Sequence, residues 1–254
     1  MIENILRKIL KIWMFRFLYV YARYLILDIT SGTRTFYNKE EKKLKNLAVL
    51  NSGTTIQHNL EYSKKKNIFS NYSFNVSEYL GLRSNRLINP LLSLPHIDIP
   101  NAKILSIGPR TEGEIYNLFI KGFKFKNIHA IDLISYSKKI KLCDAHNISY
   151  PSNYFDIVIC SYTMTYSTNQ KKLSKEIVRC CKNNGIVAIS MSLHKKNYRV
   201  NRNIKERTNN IKNSLELKKL FTKNINKTYF QNFSDDFKRT DKSHNIFLIF
   251  GLKK

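Results

Sequence analysis

The stretch from Ala102 to Leu133 holds the residues best spaced to do chemistry. A short apolar run, Ile104-Leu105-Ser106-Ile107, ends in Gly108-Pro109-Arg110-Thr111-Glu112-Gly113-Glu114, and a second run, Ile128 to Ile131, ends in Asp132. A glycine at a strand end lets backbone approach a ligand closely, and a carboxylate closing the next strand can accept both hydroxyls of a ribose. Asp132 lies 24 positions after Gly108, close to the spacing that turn, helix and second strand require in such a unit. The pattern predicts an α/β unit that holds a nucleoside.

The elements that must position these groups follow from hydrophobic periodicity. Strands are expected at 103–108, 127–132, 139–143, 155–161 and 185–191, with helices near 112–121 and 169–182. Strands alternating with helices over such distances imply a parallel sheet with right-handed crossovers. In the helix at 169–182, Leu173, Ile177, Cys180 and Cys181 share one face, and Lys171, Lys172, Lys175 and Lys182 point largely away from it. The chain then changes character: a helix near 214–223 precedes two aromatic and β-branched runs, 227–233 and 245–252, which read as an antiparallel hairpin. Ahead of the core, residues 30–100 are irregular, with a short helix at 77–87 and Pro90, Pro95 and Pro100 punctuating the approach. The expected organisation is an N-terminal helical and irregular segment, 1–100, followed by a single domain, 101–254.

Charge narrows the partners. The 254 residues carry 44 Lys and Arg against 18 Asp and Glu, a net charge of +26, which attracts polyanions such as RNA, acidic lipid headgroups or charged glycans. The last 63 residues hold 16 of the basic groups and 5 of the acidic ones. Within them Lys195, Lys196, Arg199, Arg202, Lys205, Arg207 and Lys212 recur every few residues; a solvated face and an anion-binding segment both fit. The four cysteines, Cys143, Cys160, Cys180 and Cys181, form no paired C-x-x-C motif and read as reduced thiols in a cytoplasmic-type compartment, with no metal site. Ile9 to Ile29 is apolar and aromatic, but Arg16 and Arg23 interrupt it, so it is a poor membrane span and a poor signal peptide. It suits a helix packed on the core, or one lying on the inner face of an anionic membrane with Trp13, Phe15, Phe17 and Tyr19 at headgroup depth.

The chain from about 102 to 254 resembles the class I S-adenosylmethionine-dependent methyltransferase family. Besides the glycine turn and Asp132, the resemblance rests on Cys143-Asp144-Ala145-His146-Asn147, on Pro151-Ser152-Asn153-Tyr154-Phe155-Asp156-Ile157-Val158-Ile159, and on Glu176-Ile177-Val178-Arg179 with Asn183-Asn184-Gly185 before Ile186-Val187-Ala188-Ile189. It implies a Rossmann-like, mostly parallel sheet with a C-terminal antiparallel hairpin, and S-adenosyl-L-methionine as cofactor. Gly108, Arg110, Gly113, Glu114, Asp132, Leu133, Asp144, Ala145 and Ser161 are then the expected cofactor-binding residues. The first motif is a variant: Ser106 stands where the family has an acid, and Arg110 near a later glycine. The resemblance suggests that Glu114 replaces that acid near the methionine ammonium, with Arg110 near the carboxylate; a local Arg110–Glu114 bridge at i, i+4 is the alternative.

Methyl transfer from a sulfonium is an in-line displacement, so the protein mainly aligns donor and nucleophile. A general base is needed only for an acceptor of high pKa. Candidates belong at the C-terminal edge of the sheet. They are Ser161, Tyr162, Thr163 and Tyr166 after the fourth strand, His146 after the third and His194 after the fifth. His194 and Tyr162 are the expected catalytic residues, with Tyr162 equally suited to a pocket wall and His146 to a loop imidazole bonded to backbone or near the adenine. The Asn/Asp-Pro-Pro-aromatic signature of amino-methylating sites is absent, its place being taken by Ser161-Tyr162-Thr163-Met164. A nicotinamide oxidoreductase is disfavoured because Arg110 and Glu112 break Gly-Xaa-Gly-Xaa-Xaa-Gly and the only Tyr-Xaa-Xaa-Xaa-Lys, Tyr62 to Lys66, precedes the core. The expected acceptor is anionic or membrane-associated, a surface glycan or lipid-linked intermediate. RNA methylation, or a non-catalytic basic binding protein on the same scaffold, is the alternative.

Overall fold

The computed structural model describes residues 14–16, 18–19, 22, 84–109, 112–133, 139–167, 169–194, 211, 213–232 and 243–254. Of the basic segment from Lys195 to Lys212, every residue but Ile211 lies outside the described residues, as do Arg110 and residues 77–83 of the expected helix. Among the described residues seven strands form one sheet: β1 (Ile104–Ile107), β2 (Ile128–Asp132), β3 (Ile140–Leu142), β4 (Phe155–Ser161), β5 (Cys181–His194), β6 (Ile225–Gln231) and β7 (Ser243–Leu252). Their spatial order is β3-β2-β1-β4-β5-β7-β6. The first five are parallel, and β7 runs antiparallel to both β5 and β6. This is the mostly parallel sheet with an antiparallel C-terminal hairpin that the resemblance implies.

The central strands β1, β4 and β5 are buried on both faces, as parallel strands covered by helices must be. Side chains alternate between two cores with period 2. Leu105, Ile107, Val158, Cys160, Val187 and Ile189 face one cluster, together with Leu173 and Ile177 of α3 (Gln170–Cys180) and Leu217 of α4 (Ser214–Lys219). Ile104, Ile157, Ile159, Ile186 and Ala188 face the other, with Leu87, Ile88 and Leu91 of α1 (Asn85–Leu92) and Ile115 and Leu118 of α2 (Gly113–Ile120). Residues 84–100 thereby pack as part of the sheet's second face.

Three boundaries differ from the sequence expectation. The helix expected to end at Leu87 runs on to Leu92 in α1, which contains Pro90. Losing one backbone bond there is offset by burying Leu87, Ile88 and Leu91, each side chain contributing about 1.5–3 kcal/mol. The helix at 169–182 stops at Cys180, and Cys181 already pairs with Phe155 in the sheet. Between that pair and the next, Ile157 with Ile186, the chain makes an excursion through Asn184, whose φ is +60°. Gly185 is required there, because a Cβ would meet Cys181 Sγ at 2.7 Å and the Asp156 carbonyl at 2.9 Å. The vicinal thiols are therefore a helix end and a strand start, both buried and free. Burial pushes Cys180 up to about 11 and Cys181 to about 12, so both remain protonated and inert near neutrality.

In the N-terminal stretch Arg16 donates to the carbonyl of Phe119 at 2.6 Å and lies over its ring, and Tyr19 meets Phe119 and Phe125 edge-on. These contacts dock Arg16 and Tyr19 beside the end of α2, while Met14 and Leu18 are exposed. Among the described residues no helix is long and apolar enough to cross a membrane.

Candidate active site

Parallel register brings the candidate groups to one edge. Ile107 pairs with Ile131 and Asp132 with Leu142, so Gly108, Asp132 and the Cys143-Asp144 turn follow one another at the C-terminal ends of β1, β2 and β3. Backbone bonds fasten them: Gly108 N–H donates to Ile131 at 2.8 Å, and Cys143 N–H to Asp132 at 3.0 Å. Asp132, Leu133, Asp144 and Ala145 are all half-buried. Gly108 has φ +71°, a left-handed conformation that favours glycine.

Thr163, which follows β4, sits directly on that glycine. Its hydroxyl donates to the carbonyl of Ile107 at 2.9 Å, and a Cβ at position 108 would meet it at 2.0 Å. Gly108→Ala is expected to destabilise the fold by about 2 kcal/mol or more, from left-handed strain and displacement of Thr163, as read by urea unfolding. An unchanged midpoint would mean that the turn relaxes freely.

Behind the turn, Ser106 Oγ donates to Glu114 Oε1 at 2.6 Å. Glu114 is buried in the first turn of α2, and the Ser84 side chain, which precedes α1, hydrogen-bonds to it as well. Burial raises the Glu114 carboxyl to about 7; the two serine bonds oppose the shift, and the charge of Asp132 adds to it. Glu114 thus lies next to the Ser106 position, and the serines form a polar cradle for its carboxylate. Gly113 is buried beside it.

The post-β3 turn is latched by the Glu176–Arg179 pair of α3. Glu176 accepts from Ile148 N–H at 2.7 Å, and Arg179 donates to the carbonyls of Ile148 and Tyr150 at 2.7 and 2.8 Å while bonding both Glu176 oxygens. Within the turn, Asp144 Oδ1 accepts from the His146 backbone N–H at 2.9 Å and faces His146 Nδ1 at 2.8 Å. Burial alone would raise the Asp144 carboxyl, but the bonds from His146 bring it below its ordinary value.

Ser161 ends β4, half-buried, and Tyr162 follows with φ +62°. Tyr162 N–H donates to Ser190 of β5, and its ring is buried in the second core edge-on to Phe247. His194 closes β5 at the same sheet edge, paired in register with Ser243; its side chain lies outside the described residues. Thr163 and Ser84 are the contributors that sequence patterns did not single out for these roles.

The donor set suits an adenosyl group. Two half-buried carboxylates, Asp132 at the end of β2 and Asp144 just after β3, lie beside a glycine turn that admits backbone contact, and a buried carboxyl lies behind that turn where a cation could be met. Residues 118–189 match the model of the methyltransferase domain family. The match begins inside α2, after the variant Gly-Pro-Arg turn. No curated protein matches the sequence. Among solved structures the chain is similar to phosphoethanolamine N-methyltransferase 2 of Haemonchus contortus. With phosphomonomethylethanolamine and S-adenosylhomocysteine bound, that structure shows 14% identity over 66% of this chain and 52% of that one, at a TM-score of 0.48. The same enzyme with S-adenosyl-L-methionine gives 15% identity, 66% and 52% coverage and a TM-score of 0.47. NodS, an N-methyltransferase of Bradyrhizobium japonicum solved with S-adenosyl-l-homocysteine, gives 12% identity over 68% of this chain and 87% of that one, at a TM-score of 0.49. The chain spans about half the length of the Haemonchus enzyme. These likenesses are of fold.

Proposed function

We propose that this chain is an S-adenosylmethionine-dependent methyltransferase of the class I fold and that it methylates an anionic acceptor held at a membrane surface, such as a surface glycan or lipid-linked intermediate. The observation that carries this reading is the net charge of +26, with a dense basic run immediately after β5, the strand whose C-terminal end borders the candidate site. Apolar Met14 and Leu18, exposed on the N-terminal stretch, add a surface that an anionic bilayer would accept.

Bound S-adenosylmethionine supplies an electrophilic methyl group on a sulfonium, which the acceptor displaces in line. On this reading Asp132 accepts the ribose hydroxyls, and Asp144 with Ala145 meets the adenine. Gly108, Gly113 and Leu133 approach the cofactor through their main chain, and Glu114 holds the methionine ammonium while Arg110 meets its carboxylate. Ser161 borders the sulfonium end, with Tyr162 as its buried wall. His194 is the base candidate for an acceptor hydroxyl, since it closes the strand that leads into the basic run.

The reading is tested by labelled methyl transfer to membrane, glycan and RNA fractions. Label is expected in the membrane or glycan fraction. Neutralising Lys195, Lys196, Arg199 and Arg202 together should raise the apparent acceptor constant by about tenfold with cofactor affinity intact, and added salt should mimic the change. Label confined to RNA would replace the acceptor class. Unaltered kinetics and salt dependence in the quadruple variant would remove the anionic acceptor altogether.

A further inference from the structure

We propose that His146 is a positioning residue for purine selectivity, the middle of a directed hydrogen-bond relay that runs from the start of α3 to Asp144. The inference rests on the reading that Asp144 meets the adenine. The His146 ring spans two loops: Nδ1 lies 2.8 Å from Asp144 Oδ1 after β3, and Nε2 lies 2.7 Å from Ser167 Oγ after the β4 turn.

The direction of each bond follows from its neighbour. Ionised Asp144 can only accept, so the ring proton of His146 sits on Nδ1 and donates to it. Nε2 of the neutral imidazole is then the acceptor, so the Ser167 hydroxyl donates to it, and the Ser167 oxygen in turn accepts from Asn169 N–H at 3.2 Å. Asn169 is itself fixed, because its Oδ1 accepts from Lys172 N–H at 2.9 Å as the N-cap of α3.

The consequence falls on the carboxylate. Both the backbone N–H and the ring of His146 converge on Oδ1, so the rotation of Asp144 is set and Oδ2 is the oxygen left for a ligand donor. A carboxylate oxygen held this way accepts from an exocyclic amine and repels a carbonyl at the same place. Adenine carries the amine at that position and hypoxanthine the carbonyl. The side chains of His146 and Asp144 are 16% and 15% exposed, which leaves the pair accessible to a base and otherwise shielded from water that would weaken the discrimination.

The test is calorimetric binding of S-adenosylhomocysteine and of its 6-oxo analogue, S-inosylhomocysteine, to the full chain. The wild type should prefer the adenosyl ligand by more than about tenfold, and Asp144→Asn should abolish or invert the preference. His146→Leu should reduce it about tenfold through the adenosyl ligand alone. Ser167→Ala, a milder change, should reduce it in the same way, with Ser167→Thr restoring it. Equal weakening of both ligands in His146→Leu and Ser167→Ala would make the relay merely structural and overturn the proposal. A lost preference in Asp144→Asn with an unchanged one in the His146 and Ser167 variants would remove the relay alone. A wild-type ratio near one, or an unaltered ratio in Asp144→Asn, would remove the adenine reading and the relay with it.

Discussion

Glu114→Gln is expected to make the protein more stable and a worse binder of S-adenosylhomocysteine at the same time. In the folded state burial raises this carboxyl from 4.5 to about 7. A group whose pKa rises on folding contributes its stability below the unfolded value and loses it as pH climbs through the folded one. The loss therefore falls between pH 4.5 and about 7, and its ceiling is about 3 kcal/mol. An amide is a weaker acceptor for Ser84 and Ser106, so a net gain on the order of 2 kcal/mol is expected for the variant at pH 8, with little difference at pH 5. Binding has the opposite sign. An ammonium group needs the carboxylate form, so wild-type affinity should rise with pH up to about 7 and then level, with a proton released on binding below that point. In Glu114→Gln the pH dependence should vanish and affinity at pH 8 should fall by about 2 kcal/mol, whereas Ser106→Ala should lose less. Urea unfolding and calorimetry at three pH values check both halves. A variant that is stabilised but binds normally would leave Glu114 a buried acid with no ligand.

The parts legible in the sequence were those that local pattern enforces. Ile104-Leu105-Ser106-Ile107 and Phe155 to Ser161 announce themselves because both faces of a covered parallel strand are apolar. Gly108 and Asp132 follow because strand ends at that spacing leave few alternatives. The cradle of Glu114 was half legible. Its neighbour Ser106 was marked by the missing acid, but Ser84 lies 30 residues away in the sequence and joins it only through the packing of α1. The same holds for Thr163 on Gly108 and Ser167 on His146: each contact spans a crossover, and no periodicity encodes it. Pro90 and the Cys180-Cys181 pair misplaced element ends because burial of α1 outweighs one lost backbone bond, and because an apolar helix end and an apolar strand start look alike. Tyr162 read as a residue of the mouth; its left-handed backbone turns the ring into the second core, where Phe247 meets it.

Asp132→Ala is expected to weaken S-adenosylhomocysteine binding by about 1.5–3 kcal/mol, the range for hydrogen bonds to a charged group, or about 10- to 150-fold in the dissociation constant. The side chain is half-buried at the end of β2, so thermal unfolding of the free protein should move little. A second effect distinguishes a ligand contact from general damage. The charge of Asp132 is one of the causes that raise the Glu114 carboxyl, and removing a like charge lets its neighbour ionise more readily. In Asp132→Asn the pH range over which affinity rises should therefore move downward, while the plateau above it stays weaker than that of the wild type. A dissociation constant unchanged from the wild type would take Asp132 out of the site. A weakened constant with an unmoved pH profile would keep the ribose contact and mean that the two carboxylates do not share an electrostatic environment. The combined result, lower affinity and an earlier rise, is what two acids flanking one strand end should produce when they hold opposite ends of the same ligand.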